Sequence, residues 1–168
     1  IGILAAQKTS PAAFISLCGA ASDIGTILRT QLKVLPDEDY KIATEVLDSL
    51  AVGKLFTGKL PESLNGIFNP TVQPFIISSM KYNSTTELKK LKMPILIVGG
   101  TSDAQIGTED AQQLLVANPR ATLSIIEGMN HVLKHSSKSD TETYLNPKFP
   151  IHKDLLPVLT SFIDKLRH

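Results

Sequence analysis

Met93-Pro-Ile-Leu-Ile-Val-Gly-Gly-Thr-Ser-Asp103, followed by Ala121-Thr-Leu-Ser-Ile-Ile-Glu-Gly-Met-Asn-His131, decides how this chain folds. Ile95-Leu-Ile-Val98, closed by Gly99, and Leu123-Ser-Ile-Ile126, followed by Glu127-Gly128, are short, mainly apolar runs, the pattern of strands buried in a parallel sheet. Between them Thr108 is placed to cap a helix that turns Ala111, Leu114, Leu115 and Ala117 toward the sheet, until Asn118-Pro119 stops it. The unit reads as a right-handed strand-helix-strand crossover. Each strand delivers one chemically capable side chain, Asp103 and then His131, just beyond its carboxyl end, where parallel sheets collect function.

Upstream, Ile1-Gly-Ile-Leu-Ala-Ala-Gln-Lys8 is a helical pattern with no preceding cap signal, as expected of the middle of a protein. Ser10-Pro11 breaks it, and Ala13-Phe-Ile-Ser-Leu-Cys18, closed by Gly19, reads as a further strand buried on both faces. Ser22 or Asp23 caps the next helix, on which Ile24, Ile27, Leu28 and Leu32 recur at helical spacing. From Leu35 to about Leu91 the pattern is helical: Asp37 is placed as a cap, Tyr40, Ala43, Val46, Leu47 and Leu50 share a face, and Gly53, Gly58, Pro61 and Pro70 punctuate shorter pieces. A crossover needs only about a dozen residues, so 35–91 reads as a cap or lid inserted into a core formed by 1–34 and 92–168. A last helix around Asp154 to Leu166 puts Leu155, Leu159, Phe162, Ile163 and Leu166 on one face, and the polar stretch His135 to Thr143 reads as a surface loop or a partly disordered one. The class is α/β, with about three parallel strands, flanking helices and a helical cap insertion.

Composition sets limits on function. The 168 residues are 42% hydrophobic and 20% charged with a net charge of +1, and the basic residues form no run longer than Lys89-Lys90, which removes the electrostatic basis for binding nucleic acid. No apolar stretch is long enough for a membrane span and the N-terminus carries no leader pattern, so a soluble chain, cytoplasmic or exported, is expected. Cys18 is the single cysteine, which forbids an intrachain disulfide and leaves the compartment open.

Asp103 follows Gly99-Gly100-Thr101-Ser102, a connection that turns sharply and leaves a carboxylate facing a cleft; the alternative is a turn aspartate bonded to its own backbone. His131 lies on a comparable loop, where an imidazole of near-neutral pKa can shuttle a proton; the alternative is an exposed loop histidine. A metal reading pairs His131 with His135 at i,i+4, with Asp140, Glu142 and His152 as further donors on no clear scaffold. The glycines at 99, 100 and 107 fit no nucleotide-binding pattern. Cys18 reads as core, and His168 as a complement to a helix C-terminus. No Gly-x-Ser-x-Gly occurs, and neither Ser22 nor Ser102 has the glycines a nucleophile elbow needs.

These segments resemble the C-terminal half of an α/β-hydrolase of the serine esterase, lysophospholipase-like and serine-aminopeptidase-like group. Ile1 to Ala6 looks like the helix after the nucleophile elbow, Ala13 to Gly19 like the next strand, and Val72 to Tyr82 like the end of the cap. Met93 to Asp103 and Ile125 to Val132 look like the acid and histidine segments, and Asn146-Pro147 with the helix after Pro150 like the closing elements. The resemblance implies catalytic acid Asp103 and general base His131, a nucleophilic serine upstream of Ile1, and acyl-enzyme hydrolysis of an ester, thioester or amide. It implies no metal and no organic cofactor. Phe56, Leu60, Phe68 and Phe75 would wall a small-molecule acyl substrate or else pack within the cap.

The isolated chain is expected to be inactive, with an exposed strand edge that seeks the missing N-terminal half or self-associates. The competing functions are a non-catalytic fragment that acts in binding only and, behind it, a metal-dependent enzyme built on His131 and His135.

Overall fold

The apolar run Ile95–Gly100 forms β2, the middle strand of a three-stranded parallel sheet, and every residue of it is buried. In this computed structural model residues 1–136 and 142–167 are described. Phe14–Leu17 is β1, pairing with β2 from Phe14 opposite Ile95 to Leu17 opposite Val98, and Thr122–Ile126 is β3, pairing with it from Leu96 opposite Thr122 to Gly100 opposite Ile126.

The flanking strands are less buried than their sequences suggest. β1 is only partly covered and Leu17 is exposed, and β3 is exposed at Thr122 and Ile125. Both are sheet edges among the described residues, so each strand has a paired neighbour on one side alone.

The chain divides into two compact units. The first, Ser22–Ser84, is helical: α2 (Ile24–Gln31), a 3-10 turn, α3 (Asp37–Ala51), α4 (Glu62–Phe68) and α5 (Gln73–Met80). Its own core joins Leu32, Ala43, Val46, Leu47, Leu50, Leu64, Phe68 and Ile76. Asp23 caps α2, its Oδ1 accepting from the amides of Gly25 at 2.9 Å and Thr26 at 3.1 Å. Asp37 does not cap α3; Pro36 occupies that position and Asp37, Glu38 and Asp39 fill the first turn, where their charge complements the helix dipole. The link between α3 and α4 is tied down by buried Gln73, whose amide accepts from Phe56 N at 2.8 Å and donates to the carbonyls of Phe56 and Phe68. Phe68 is fully buried and Phe56 and Leu60 pack with it, whereas Phe75 is exposed.

The second unit, Gly2–Ala21 with Thr85–His168, holds the sheet. α1 (Gly2–Thr9), Leu88 of the short α6 (Ser84–Leu88) and α7 (Thr108–Ala117) pack on one cluster with Ile95 and Ile97. The closing helix, α9 (Leu155–Lys165), packs on another with Leu96, Val98 and Ile126, and the short α8 (Glu142–Leu145) precedes it. Alternate residues of β2 thus point to opposite cores, the two-faced burial a parallel strand requires. Gly107, not Thr108, precedes the first turn of α7. Ile163 and Leu166 lie outside the core of α9, which is carried by Leu155, Val158, Leu159 and Phe162.

Candidate active site

Asp103 stands three residues beyond β2 in a turn that its own carboxylate organises: Oδ1 accepts from the amides of Gln105 at 2.8 Å and Ile106 at 2.9 Å. The local aspartate turn anticipated as the alternative to a catalytic role is therefore present, but it uses one oxygen only. Oδ2 lies 2.9 Å from Nδ1 of His131. The Asp103 side chain is inaccessible to solvent, while His131 keeps 31% of its side chain exposed. Acid buried and imidazole half open is the arrangement in which a carboxylate orients a histidine whose other nitrogen faces a reactant.

The histidine loop is bound to the acid loop by main chain as well as side chain. Thr101 N donates to Ile126 O at 3.1 Å, Ser102 N donates to Met129 O at 3.1 Å, and Gly128 N donates to Thr101 Oγ1 at 2.8 Å. Gly128 turns at φ +73°, a conformation that suits glycine. Asn130, fully buried beside His131, accepts from Lys134 N through Oδ1 and donates through Nδ2 to Thr143 Oγ1, both at 2.9 Å.

Electrostatics follows from this geometry. Burial alone would raise the Asp103 pKa, but the hydrogen bonds from His131 and the Ile106 and Gln105 amides outweigh it and hold the carboxyl below its ordinary value. The hydrogen bond to Asp103 raises the His131 pKa against the opposing effect of burial. With Asp103 ionised, Nδ1 carries the proton and Nε2 is the basic nitrogen.

The i,i+4 pair His131 and His135 does not share a helix face, because 131–135 is a turn leading into an antiparallel bridge between Met129 and His135. His135 pairs instead with buried His152, Nδ1 to Nε2 at 3.3 Å, and His152 Nδ1 accepts from Asp154 N at 3.2 Å. Glu142 opens α8, and Asp140 and His168 lie outside the described residues. The surface loop expected over 135–143 is corrected at its described ends: Ser136 and Thr143 are buried and bonded to each other at 3.1 Å, while 137–141 lie outside the described residues. Polar composition suggests solvent, but these groups satisfy one another instead.

Sequence reasoning weighed Cys18 as core against nucleophile and favoured core. It is buried, yet its Sγ lies 3.9 Å from the Asn130 carbonyl, and one donor atom each from Cys18, Asp103 and His131 fall within 4.8 Å of one another. The available signal was its place at the carboxyl end of the strand beside β2. Burial and the Asp103 charge push the thiol up to about 12, so the proton stays on sulfur. Ser102 directly precedes Asp103 in the acid turn, and Ser22 belongs to the helical unit; neither stands on a strand-to-helix elbow.

No protein-family model and no curated relative matches the chain. Solved structures do. An esterase from Pyrococcus furiosus is 13% identical with a TM-score of 0.49, over 99% of this chain and 49% of its own. A meta-cleavage product hydrolase from Pseudomonas fluorescens is 16% identical with a TM-score of 0.48, over 97% of this chain and 60% of its own. An E-2-(acetamidomethylene)succinate hydrolase is 13% identical with a TM-score of 0.50, over 96% of this chain and 62% of its own. The chain thus spans about half to three fifths of the length of these three structures. The likeness at a TM-score of 0.50 gives the fold, that of part of an α/β-hydrolase. No helix among the described residues is long and apolar enough to cross a membrane.

Proposed function

We propose that this chain supplies the acid and the general base of a serine hydrolase, Asp103 and His131, to a nucleophile provided by a polypeptide segment outside these 168 residues. The observation that carries the reading is the 2.9 Å contact between His131 Nδ1 and the buried Asp103 carboxylate. His131 Nε2 takes the serine hydroxyl proton as oxygen attacks the carbonyl of an ester, thioester or amide, then returns it to the leaving group. Water repeats the sequence on the acyl-enzyme. Asp103 stays ionised throughout, fixing the tautomer and stabilising the imidazolium. In this reading the helical unit is the cap insertion, the partner is a small acyl substrate, and no cofactor takes part.

Treating the full-length gene product with a fluorophosphonate probe and weighing it intact tests the proposal. One adduct on the wild type, lost in His131→Ala, is the expected result. A wild type that takes no label, while folded, leaves a binding role in place of catalysis.

A further inference from the structure

His152 is a buried imidazole that the proton relay does not use, and it meets the loop carrying His131 twice. Its amide donates to Leu133 O at 2.7 Å, and its ring Nε2 lies 3.3 Å from Nδ1 of exposed His135. On the other side of the ring, Nδ1 is 3.2 Å from the amide of Asp154, the residue that precedes α9. A backbone N–H can only donate, so His152 Nδ1 holds a lone pair and the proton of the neutral ring is on Nε2. Nε2 therefore donates to His135 Nδ1, and the two rings are polarised in one direction, away from α9.

The loop they hold is strained. Leu133 has φ +64°, left-handed backbone in which a Cβ crowds the neighbouring carbonyl, and such a conformation persists only where surrounding structure enforces it. Its amide donates to Asn130 O at 3.0 Å, closing the turn over His131, and its side chain packs against the core that contains Leu96, Val98 and Met129. Its carbonyl is the one that His152 N engages. Beyond it the chain returns to where the loop began: His135 bridges Met129, and Ser136 N donates to Gly128 O at 2.9 Å. The His135 ring lies over Gly128 so closely that a Cβ there would come within 2.8 Å of Nδ1. One residue on the segment leading into α9 thus grips both the strained middle of the loop and its returning arm.

We propose that His152 is a positioning residue for His131, which, through its ring bond to His135 and its amide bond to Leu133, holds the loop so that His131 Nδ1 stays on the Asp103 carboxylate. The proposal deepens the hydrolase reading and rests on its Asp103–His131 pair. Histidine suits the place because one ring must accept from Asp154 N and donate to His135 at once, which an apolar side chain of similar size cannot do. His131 itself is half open, so nothing but its loop and its bond to Asp103 fixes the ring.

The test follows the His131 ring by NMR titration in the full-length gene product, in wild type, His152→Leu, His152→Gln, His135→Ala and His135→Asn. The His135 variants change an exposed side chain, which guards against a His152 variant that fails to fold. The hydrogen bond to Asp103 is what raises the His131 pKa, so a loosened loop is read as a His131 titration at lower pH. That shift is expected in His152→Leu and His135→Ala. It should return toward wild type in His152→Gln, whose amide offers an N–H in place of Nε2, and in His135→Asn, whose carbonyl oxygen offers an acceptor in place of Nδ1. In an Asp103→Asn background, His135→Ala should no longer move His131. An unchanged His131 titration in folded His152→Leu and His135→Ala overturns the role, as does an equal shift in the glutamine and asparagine variants or in the Asp103→Asn background. Fluorophosphonate labelling judges the hydrolase reading separately, since the titration needs no activity.

Discussion

The Met129 carbonyl lies against Gly100 so closely that a Cβ built on Gly100 would overlap it, with the Met129 side chain only 3.0 Å away. Glycine here is a spacer between the acid segment and the histidine segment, needed for its missing side chain and not for its backbone freedom. Gly100→Ala should force Met129 outward, break the Ser102 N to Met129 O bond and carry His131 away from Asp103. Loss of the low-field His131 Nδ1 proton in the NMR spectrum, with helical circular dichroism kept, is the expected outcome; an unperturbed Nδ1 signal would contradict it.

Asp103→Asn removes the carboxylate hydrogen bond, and with it the charge, that raise the His131 pKa, so His131 should titrate at lower pH than in wild type. If the full-length protein hydrolyses acyl compounds, its rate should rise with pH as His131 loses its proton, and Asp103→Asn should lower kcat by about 10²–10⁴-fold through the wrong tautomer. Rate against pH, measured beside the ring titration, checks both. A variant with full activity would remove Asp103 from the reaction.

The same pair makes stability depend on pH in two directions. Asp103, with a lowered native pKa, contributes stability that is complete above about pH 4 and lost as pH falls through its native value; His131, with a raised one, contributes below about pH 6.5 and loses it as pH rises through its native value. The difference in urea midpoint between wild type and His131→Gln should therefore be largest near about pH 5 and shrink on both sides. A difference that is flat from acid to alkaline pH would show that the two groups are not linked to folding.

The parts of this molecule legible from sequence are those where one physical demand dominates. A run such as Ile95 to Val98 has no use but burial on both faces, and loops that end in Asp103 and His131 must emerge at the same sheet edge. The cap of α2 is legible to within one residue, Ser22 or Asp23, because either side chain offers an oxygen to the first free amides, and Asp23 takes the place. Where two demands compete, the reading fails. Asp37 and Thr108 are good caps by chemistry, but Pro36 and Gly107 sit one position earlier and take the place. Ser136 and Thr143 look like solvent-facing residues because composition does not reveal that they pair with each other and that Thr143 also accepts from Asn130. Cys18 fits the core so well by type that only its place at the carboxyl end of a strand hints at the left-handed turn and at the contact of its sulfur with the Asn130 carbonyl.

Asn130 shows how that hidden network bears on the site. Its Oδ1 satisfies the Lys134 amide, its Nδ2 reaches Thr143 Oγ1, and Lys134 Nζ in turn donates to the carbonyls of Thr143 at 2.8 Å and Asn146 at 2.9 Å. Asn130→Ala takes the acceptor from the partly buried Lys134 amide and one donor from the Thr143 hydroxyl, which keeps its bond to Ser136, a loss of about 1–3 kcal/mol. Asn130→Asp keeps the acceptor for the Lys134 amide but loses the donor to Thr143 and buries a charge, so it should be no better tolerated. The His131 loop should loosen before the sheet does, because β2 and its two cores do not depend on these bonds. Amide exchange separates the two: faster exchange at Lys134 and Leu133 with β2 protection kept is the expected pattern. Uniform loss of protection would mean that Asn130 holds up the whole fold and not the histidine loop alone.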